Sequence, residues 1–521
     1  MNIPLTTLRC LERAAQLFGR KTGVVCGDKR FTYSEMADRC ARLASALTRN
    51  TVQPGDRVGY LSYNTHQLLE GYYGAPHAHA MAMPLNVRLT QVELGEIIRH
   101  AEPRLLFFET EFAATADSLR QALPALRIVN LDTEYEDFLA QGDPVPPDLF
   151  SYDENAIAEL FYTSGSTGTP KGVMLSHRTL YLHALGCIAS LELDPAGVEL
   201  HTIPLFHANG WGRPQSSTMM GMKQVMVRRF DCAHVCRLIQ DERATSMSIV
   251  PTMANALLAF DARATYDLSS MRQIMIGGAA ATPAMIENLA KAFGCEVMAG
   301  YGLTETSPVA SSSRRKSTVI YTDDEDRWQN QAVAGWPIFG SDVRVVDNAM
   351  NDVPRDLSTV GEVAIRGDIV MDGYFREPEA TAAVMTDGWL HTGDMAVWDE
   401  ENYIHIVDRK KDIIISGGEN ISSIEVEKAI ALHPGVAETA VVSAPDDRWG
   451  EIPVAFIVTE PDVVLEEAAL RAHLTARLAK FKVPHRFFFR TEPLPKGGTG
   501  KILKRELREP FWQGHQTRIQ G

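Results

Sequence analysis

The stretch that decides the fold is residues 271–306, which read MRQIMIGGAAATPAMIENLAKAFGCEVMAGYGLTET. Its first residues alternate isoleucine with other residues and then reach two glycines, which is the pattern of a short buried strand. Thr282 followed by Pro283 is typical of a helix start, and Gly294 is typical of a helix end in the left-handed conformation. Residues 295–299 indicate a second strand, so the whole stretch predicts a strand–helix–strand unit with parallel strands.

The polar segment GYGLTET, residues 300–306, directly follows the second strand of this unit. We expect it to form a loop at the carboxyl end of a parallel strand, where open α/β sheets bind ligands. Strand and helix patterns alternate in the same way through most of the chain. The fold class predicted is therefore α/β, with mainly parallel sheets covered by helices.

The pattern changes toward the end of the chain, where a second domain is predicted. Three isoleucines at residues 413–415 indicate a buried strand, and Ser422 with Glu425 has the spacing of a helix capping box. The patterns that follow are those of a small α+β domain of ordinary size. We predict a large N-terminal domain, residues 1–408, and a smaller mobile C-terminal domain, residues 409–521.

Composition and charge limit the classes of function. The chain has 521 residues, enough for two or more hydrophobic cores, and its 45% hydrophobic and 22% charged content is that of a globular protein. The net charge of −15 argues against a nucleic-acid partner, because phosphate neutralisation needs a basic surface. No apolar run approaches the roughly 20 residues of a membrane span, so no integral membrane segment is expected.

Three smaller features concern location and local order. Arginine and glutamate interrupt the apolar residues near the N-terminus, so a secretory signal peptide is not expected. Seven cysteines are an odd number in a long chain, which favours free thiols, a reducing compartment and a cytoplasmic protein. The acidic run at residues 323–326 is interpreted as a solvated loop.

The segment with the most informative chemistry is YTSGSTGTPKG, residues 162–172. Glycines let backbone N–H groups approach phosphate oxygens, serine and threonine hydroxyls add donors, and Lys171 adds positive charge. The segment precedes a helical pattern but differs from a Walker A loop, because Pro170 stands where that loop has its second glycine. A flexible surface loop is the alternative interpretation of this composition.

Five further motifs follow this segment in order along the chain. They are GGAA at 277–280, GYGLTET at 300–306, TGD at 392–394, DRKKD at 408–412 and PKGGTGK at 495–501. Together with residues 162–172 they resemble the signatures of the adenylate-forming superfamily, which includes acyl-CoA synthetases, luciferases and the adenylation domains of peptide synthetases. The resemblance covers nearly the whole chain.

The resemblance implies a two-step reaction whose first step joins a carboxylic acid to ATP. The carboxylate attacks the α-phosphate and gives an acyl-adenylate and pyrophosphate. Lys501 is expected to bridge the carboxylate and the phosphate, Glu305 to hold Mg²⁺ and Thr304 to contact the α-phosphate. The loop that carries Lys171 is expected to bind the departing pyrophosphate, and His207 completes the catalytic set.

The resemblance also implies a nucleotide site. Tyr301 is expected to stack on adenine, Asp394 to accept both ribose hydroxyls, and Arg409 to reinforce that end. The full set expected to bind ATP or AMP is Thr163, Ser164, Gly165, Ser166, Thr167, Gly168, Lys171, Gly278, Ala279, Ala280, Gly300, Tyr301, Gly302, Thr304, Asp394, Arg409 and Lys501. Alternatives are a helix cap for Asp394, a surface ion pair for Arg409 and a solvated side chain for Lys501.

In the second step a thiol attacks the acyl-adenylate, after the C-terminal domain has rotated. Lys411 matches the family's hinge position. Gly417, Gly418 and Glu419 are then expected to meet coenzyme A, because glycines leave room for a pantetheine arm beside the backbone. A simple β-turn after the strand at 413–415 is the alternative.

The segment PLFHANGWG, residues 204–212, bears on the choice of acid. Residues 201–230 contain no Asp or Glu, and a buried substrate ammonium would need a counter-charge, so an amino-acid substrate is disfavoured. The segment resembles the gate region of bacterial fatty-acyl-CoA ligases, where an aromatic residue closes the acyl tunnel. The residues expected to contact the acyl group are His207, Gly210, Trp211, Gly278 and Gly300. A core tryptophan is the alternative for Trp211.

Two functions from different classes follow from these patterns. The first is an AMP-forming ligase that joins a fatty acid to coenzyme A, with ATP and Mg²⁺. Aryl, arylpropenoic and short sulfur-containing acids remain open as substrates. The second is a catalytically silent sensor that binds an acyl-adenylate, which loss of Glu305, Asp394 or Lys501 would favour; all three are present. The expected partners are small molecules, and the expected state is a monomer or homodimer.

Overall fold

The structure is a computed structural model that describes residues 2–164, 170–417, 419–446, 448–460, 463, 465–496 and 502–513, without the side chains of Ser164 and Asn420. The chain forms two compact units. Unit 1 comprises Met1–Arg344, Ala364–His391 and Glu400–Ile404, and unit 2 comprises Val345–Val363, Thr392–Asp399 and His405–Gly521. The boundary at residue 408 stays a prediction.

The described residues form helices and strands along the whole chain. The helices are α1 Leu8–Phe18, α2 Tyr33–Arg49, α3 His66–His77, α4 Gln91–Ala101, α5 Ala113–Ala122, α6 Tyr135–Ala140, α7 His177–Ser190, α8 Arg213–Met220, α9 Cys232–Glu242, α10 Pro251–Ala259, α11 Pro283–Phe293, α12 Asp324–Gln331, α13 Pro378–Ala382, α14 Ser423–Ala431, α15 Glu467–Thr475 and α16 Lys504–Trp512. The first strands are β1 Thr22–Cys26, β2 Lys29–Thr32, β3 Arg57–Leu61, β4 Met81–Pro84, β5 Leu105–Phe108, β6 Arg127–Asn130, β7 Ile157–Ser164, β8 Pro170–Ser176, β9 Val198–His201, β10 Lys223–Met226, β11 Ser246–Ile249, β12 Gln273–Ile276 and β13 Glu296–Gly302. The others are β14 Val309–Ser312, β15 Trp336–Pro337, β16 Asp342–Val346, β17 Gly361–Arg366, β18 Gly373–Tyr374, β19 Met385–Thr386, β20 Trp389–Trp398, β21 Ile404–Arg409, β22 Ile414–Ser416, β23 Glu419–Ile421, β24 Val436–Asp446, β25 Gly450–Thr459 and β26 Arg486–Arg490.

Unit 1 contains a nine-stranded sheet and a seven-stranded sheet. The first has the order β15-β14-β13-β12-β11-β9-β10-β1-β2, in which the strands from β13 to β1 are parallel. The second has the order β18-β8-β7-β4-β3-β5-β6, in which the strands from β7 to β6 are parallel. Antiparallel strands lie at both edges of the first sheet and at the β18 edge of the second. The predicted α/β class with mainly parallel sheets is confirmed. A further five-stranded sheet has the order β16-β17-β20-β19, with β21 beside β20.

The predicted strand–helix–strand unit is confirmed at β12, α11 and β13. The Thr282 hydroxyl accepts the Met285 N–H at 3.2 Å and so caps α11. Gly294 ends the helix with a φ of +62°. One expectation was wrong: residues 300–302 are not loop, because β13 continues to Gly302 and pairs antiparallel with β14.

Unit 2 contains its own sheet, of order β23-β22-β25-β24, with β26 parallel to β25. Helices α14 and α15 pack on it through an apolar core that includes Ile414, Val426 and Leu470. The Ser422 hydroxyl caps α14 by accepting the Glu425 N–H at 3.0 Å, as predicted. The expected smaller C-terminal domain is thus confirmed, whereas its predicted bounds, 409–521, stay a prediction.

The acidic run at residues 323–326 corrects the interpretation as a solvated loop. Asp323 is the N-cap of α12, and its carboxylate accepts the Asp326 N–H at 2.9 Å. The three acidic residues that follow form the first turn of the helix. Negative side chains there interact favourably with the helix dipole, so the run starts a helix. Among the described residues, no helix combines the length and hydrophobicity that crossing a membrane requires.

The cap of α11 can be tested locally. Thr282→Ala removes the acceptor for the Met285 N–H and should destabilise the first turn by about 1 kcal/mol. Amide hydrogen exchange in that turn should then be roughly fivefold faster, whereas Thr282→Ser should exchange like the unmodified protein. Equal exchange in the alanine and serine variants would contradict the role of the cap.

Candidate active site

Three predicted motifs meet at one edge of the nine-stranded sheet. Strands β9, β12 and β13 are parallel members of this sheet, so the segments after them leave from the same edge. A Cβ atom on Gly277 would lie 2.9 Å from the Gly300 carbonyl oxygen and 2.9 Å from the indole of Trp211. Only glycine fits at this position. The contacts of Gly277 with Gly300 and Trp211 show that the segments after β9 and β12 lie beside the end of β13.

Trp211 reaches this edge from an unusual turn. Residues Ala208–Gly212 all have positive φ, between +40° and +70°. The left-handed conformation costs roughly 1–2 kcal/mol for each residue that has a Cβ atom, so neighbouring groups must hold the turn. The indole is 6% exposed and lies against Gly277 and Gly278. Trp211 is therefore both buried and placed at the predicted acyl-binding glycines.

The remaining residues of this edge lie around the tryptophan. His207 immediately precedes the left-handed turn, is half-buried, and its carbonyl accepts the Gly210 N–H at 3.2 Å. Gly278, Ala279 and Ala280 are exposed. Tyr301 and Gly302 lie in β13, where a Cβ atom on Gly302 would be 1.7 Å from the Pro308 carbonyl oxygen. A close approach of two backbones therefore explains the second glycine of this motif.

Glu305 and Lys171 share an aromatic neighbour, Tyr374, which the sequence analysis missed. The Tyr374 hydroxyl donates to the Glu305 carboxylate at 2.8 Å, and the Lys171 ammonium lies 4.8 Å from the centre of the Tyr374 ring. Burial, followed by the charge of Glu305, raises the pKa of Tyr374, so its hydroxyl stays a donor. Thr304 is buried beside Glu305 in a single 3-10 turn. The structure thus groups the predicted pyrophosphate lysine with the predicted metal ligand.

The phosphate-binding segment lies in a β-hairpin. Strands β7 and β8 pair antiparallel, with Thr163 opposite Lys171 and Ser164 opposite Pro170. Helix α7 follows this hairpin and begins at His177, after β8, which agrees with the helical pattern predicted after the segment. Gly165, Ser166, Thr167 and Gly168 lie outside the described residues. The phosphate role of this segment stays a prediction.

Unit 2 brings the two ribose residues together. The Arg409 guanidinium contacts the Asp394 carboxylate at 2.7 Å, and Asp394 is 3% exposed. The Asp394 N–H donates to the Thr392 hydroxyl at 3.1 Å, and this hydroxyl donates to the Val363 carbonyl at 2.8 Å. Asp394 lies inside β20, which argues against the helix-cap alternative.

The predicted hinge lysine lies in a turn that helix α16 supports. The Arg508 guanidinium donates to the Lys411 carbonyl at 3.0 Å and to the Asp412 carboxylate at 2.6 Å. Lys501 itself lies outside the described residues. Lys496 and Ile502 on either side of it form an antiparallel bridge. The helix that follows Lys501 is thus bonded directly to the hinge turn.

The predicted coenzyme A segment is a tight hairpin. Ser416 at the end of β22 pairs with Glu419 at the start of β23, and Gly417 has a φ of +60°. The side chain of Trp449 lies against Gly417, where a Cβ atom would be 2.8 Å from the indole. Gly418 lies outside the described residues. The two strands therefore pair directly across this segment, and its role toward coenzyme A stays a prediction.

Comparison with known proteins agrees with this arrangement. A family model described as "AMP-binding enzyme" matches residues 11–375, and one described as "AMP-binding enzyme C-terminal domain" matches residues 425–501. The chain belongs to the adenylate-forming superfamily.

Individual relatives place it among the CoA ligases of this superfamily. The long-chain-fatty-acid–CoA ligase of Thermus thermophilus is 38% identical, over 96% of this chain and 94% of that protein. The peroxisomal butyrate–CoA ligase of Arabidopsis thaliana is 35% identical, over 98% of this chain and 93% of that protein. The crystal structure of an anthranilate CoA ligase in complex with anthranoyl-AMP superimposes with a TM-score of 0.88 at 26% identity, covering 98% of both chains. The chain is an AMP-forming CoA ligase, as predicted.

A buried carboxyl group of the ligase also escaped the sequence analysis. Glu159 on β7 is fully buried and accepts hydrogen bonds from Asn209 at 3.3 Å and Gln215 at 2.5 Å. Residues 201–230 contain no acid of their own, yet this carboxyl from a distant strand lies against them. Local sequence carried no signal for it, because Glu159 is 50 residues from Asn209.

Burial raises the pKa of the Glu159 carboxyl to about 8, although the hydrogen bonds from Asn209 and Gln215 lower it. The charge that Glu159 would carry acts on two other titratable groups, Tyr72 and Cys10. Burial raises the pKa of Cys10 to about 12 and raises that of Tyr72 well above its usual value. Well below pH 8 the Glu159 carboxyl is therefore protonated and this site carries no charge.

This protonation has a predictable effect on stability. Because the folded pKa exceeds the unfolded one, the unfolded chain binds fewer protons between pH 4.5 and 8, and stability falls as pH rises through that range. The loss from this one group is roughly 4–5 kcal/mol. Glu159→Gln cannot ionise, so the melting temperature of the variant relative to the unmodified ligase should increase with pH and level off above about pH 8. A difference that stays constant from pH 5 to 9 would contradict the assignment.

Proposed function

We propose that the ligase activates a fatty acid by way of an acyl-adenylate and transfers the acyl group to the thiol of coenzyme A. The observation that carries this proposal is the packing of Trp211 on Gly277 and Gly278. The segment that holds Trp211, residues 204–212, contains no charged side chain that could bind a polar group of the acid. The acid nearest to this segment is Glu159, which is neutral at pH 7 and bonded to two amides. It is therefore unsuited to hold the ammonium group of an amino acid.

In the first step a carboxylate oxygen bonds to the α-phosphorus, and the bond from that phosphorus to the pyrophosphate oxygen breaks. Negative charge gathers on the phosphate oxygens, so cations and fixed donors stabilise the transition state. We assign Lys501 to the carboxylate and α-phosphate, Thr304 to the α-phosphate, and Lys171 with its hairpin to pyrophosphate. The Tyr374 ring next to Lys171 supports this lysine, since a cation over an aromatic face is favourable.

Glu305 fits the ligand chemistry of Mg²⁺. Its carboxylate supplies hard oxygen atoms, and Mg²⁺ in nucleotide sites uses one or two carboxylates with phosphate oxygens and water. Its hydrogen bond from Tyr374 at 2.8 Å would orient the carboxylate, as a second neighbour does for many metal ligands. When bound, the ion would neutralise charge on the ATP phosphates.

Asp394 and Arg409 form the proposed ribose site. An ionised carboxylate accepts two hydrogen bonds from a vicinal diol, and the Arg409 contact at 2.7 Å orients the Asp394 carboxylate. Tyr301 is assigned to the adenine ring. Gly278, Ala279 and Ala280 are assigned to the same end of the nucleotide, where their exposure leaves room for a ligand.

In the second step the thiol sulfur of coenzyme A bonds to the acyl carbon, the bond from that carbon to the phosphate oxygen breaks, and AMP leaves as the thiol loses its proton. We assign Lys411 to the hinge between the two steps. Gly417, Gly418 and Glu419 are assigned to the pantetheine arm. The hairpin geometry supports this role, because a glycine with a φ of +60° presents backbone rather than a side chain.

Two alternatives to a fatty-acid ligase are a ligase for another class of acid and a protein without catalytic activity. The relatives act on acids as different as butyrate, long-chain fatty acids and anthranilate, so aryl, arylpropenoic and short sulfur-containing acids are the alternative substrates. The silent sensor is disfavoured, because Glu305 and Asp394 both have organised contacts. A cytoplasmic location and a monomer or homodimer remain predictions.

The proposed function is tested by pyrophosphate release with a panel of carboxylic acids, with and without coenzyme A. A fatty-acid ligase should release pyrophosphate with straight-chain acids and form the thioester only when coenzyme A is present. If an aromatic or sulfur-containing acid is turned over faster than every straight-chain acid, that acid class is the substrate and the fatty-acid assignment is wrong. No release with any acid would favour the sensor.

Lys501→Ala should separate the two half-reactions. Acyl-adenylate formation should fall by about 10²-fold or more, because the lysine charge is needed while the carboxylate attacks phosphorus. Thioester formation from supplied acyl-adenylate should be largely kept. Lys496→Ala in the same segment is the control, since Lys496 binds Glu438 and should leave both steps unchanged. Equal losses in both half-reactions of Lys501→Ala would refute this division of roles.

Trp211→Ala should move the acid preference toward longer or bulkier acids. Each buried CH₂ contributes roughly 0.8 kcal/mol until the pocket ends, so kcat/KM against chain length should rise and then drop, and the variant should shift that drop. The KM for ATP should barely change. Trp328→Ala on α12 is the control: its tryptophan is also buried, so it should lower the melting temperature without altering the length profile. A folded Trp211→Ala ligase with an unchanged profile would exclude the gate.

A further inference from the structure

The left-handed turn Ala208–Gly212 is held by side-chain contacts at its centre and after its end. The Asn209 side chain is completely buried, and its carbonyl oxygen accepts the Gly212 N–H at 2.6 Å. Its amide nitrogen donates to the Glu159 carboxyl at 3.3 Å. Gln215, in the first turns of α8, donates to the other oxygen of the same carboxyl at 2.5 Å. One carboxyl group therefore joins the turn to the helix that follows it.

The segments on either side of the turn are also fixed. Before it, the Leu205 carbonyl accepts the Tyr72 hydroxyl at 2.5 Å, and the Leu205 N–H donates to the Asn64 side chain at 2.7 Å. After it, the buried Arg213 guanidinium donates to the Glu199 carboxylate at 2.9 Å. Both flanks are thus anchored independently of Glu159. The part of the turn that carries Trp211 depends on Asn209, and Asn209 depends on Glu159.

Glu159 occupies a rigid position. It lies in β7 between β4 and β8, opposite Ala82 on one side and Leu175 on the other. The same strand continues to Ser164, where the predicted phosphate loop begins. A central strand paired on both sides moves little, so it provides a fixed reference for the turn.

We propose that Glu159 is the positioning residue of the acyl pocket: through Asn209 and Gln215 it holds the left-handed turn and so fixes the Trp211 indole against Gly277 and Gly278. This assignment of specificity rests on the proposed function, whereas the position of the indole does not. Glu159 acts through Trp211 and touches no reacting atom. Its effect should appear in acid selection, and not in the affinity for ATP.

The test compares Glu159→Leu with Glu159→Gln. Leucine leaves the Asn209 and Gln215 amides without their acceptor. Glutamine keeps one carbonyl oxygen, which accepts from Asn209, and its NH₂ group can donate to the buried Gln215 side-chain oxygen once the Gln215 amide rotates. In Glu159→Leu, kcat/KM for the preferred acid should fall between about tenfold and 10²-fold, mainly through KM, the usual effect of a misplacement of about 1 Å. The profile against chain length should broaden, while the KM for ATP should change less than about twofold. Glu159→Gln should restore the wild-type values.

A second measurement reports on the indole without any activity. The fluorescence of Trp211 is obtained as the difference between each protein and the same protein carrying Trp211→Phe. In Glu159→Leu this difference spectrum should shift to longer wavelength, because the indole leaves its buried position. If the unmodified ligase activates no acid, the proposed function fails, and the difference spectrum still tests whether Glu159 places Trp211.

Two further variants separate positioning from general stability. Asn209→Gly keeps the freedom to adopt positive φ but removes the link to Glu159, so it should reproduce the changes of Glu159→Leu even if the leucine variant does not fold. Glu70→Gln changes another buried glutamate, which accepts from Arg39 at 2.7 Å and Tyr135 at 2.7 Å. It should lower the melting temperature while the acid profile and the Trp211 spectrum stay unchanged. A folded Glu159→Leu or Asn209→Gly ligase with the wild-type spectrum and acid profile would overturn the proposal.

Discussion

Parallel pairing of β9, β11, β12 and β13 is the constraint on which the active-site edge depends. Parallel strands bring their carboxyl ends to one side of the sheet, so segments far apart in sequence must meet there. The Gly277 position shows how closely they meet, because a single methyl group would clash with Gly300 and Trp211 together. Close contacts with the backbone and with the Trp211 ring therefore require glycine at this position, whether or not a ligand is bound.

Two buried glutamates that contact the segment from Asn209 to Gln215 have pKa values shifted in opposite directions. Glu199 faces the Arg213 guanidinium, and this charge holds its pKa below the usual value despite the opposing effect of burial. Glu159 meets only neutral amides, so burial prevails and raises its pKa. The first is an ion pair that anchors α8, and the second is a neutral hydrogen-bonding group that can lie beside an apolar pocket without bringing a charge to it.

Local signals in the sequence predicted much of the fold. The cap at Thr282, the left-handed end at Gly294 and the alternation of strands and helices each depend on residues that are neighbours in the chain, and each is confirmed. The two errors had different causes, a separate strand in one case and an unrecognised local cap in the other. Residues 300–302 became strand because β14 pairs with them, and the acidic run became a helix start through its own capping.

The motifs themselves could be recognised because each is a short run with a fixed spacing, and they were sufficient to identify the superfamily. The residues that hold the motif side chains in place could not be recognised from the sequence. Tyr374 lies 69 residues from Glu305, and Glu159 lies 50 residues from Asn209. Nothing in the composition around either residue distinguishes it from an ordinary core position, and only the three-dimensional pairing reveals its partner.

The run of five residues with positive φ also limits how this ligase can change its substrate by mutation. Each position from Ala208 to Gly212 accepts most L-amino acids only with backbone strain, so random changes there would mostly reduce the yield of folded protein. New acid specificities are more accessible through side chains that face the indole from regular strands and helices. The turn from Ala208 to Gly212 would then stay the same among related ligases, while the side chains that surround the Trp211 indole change.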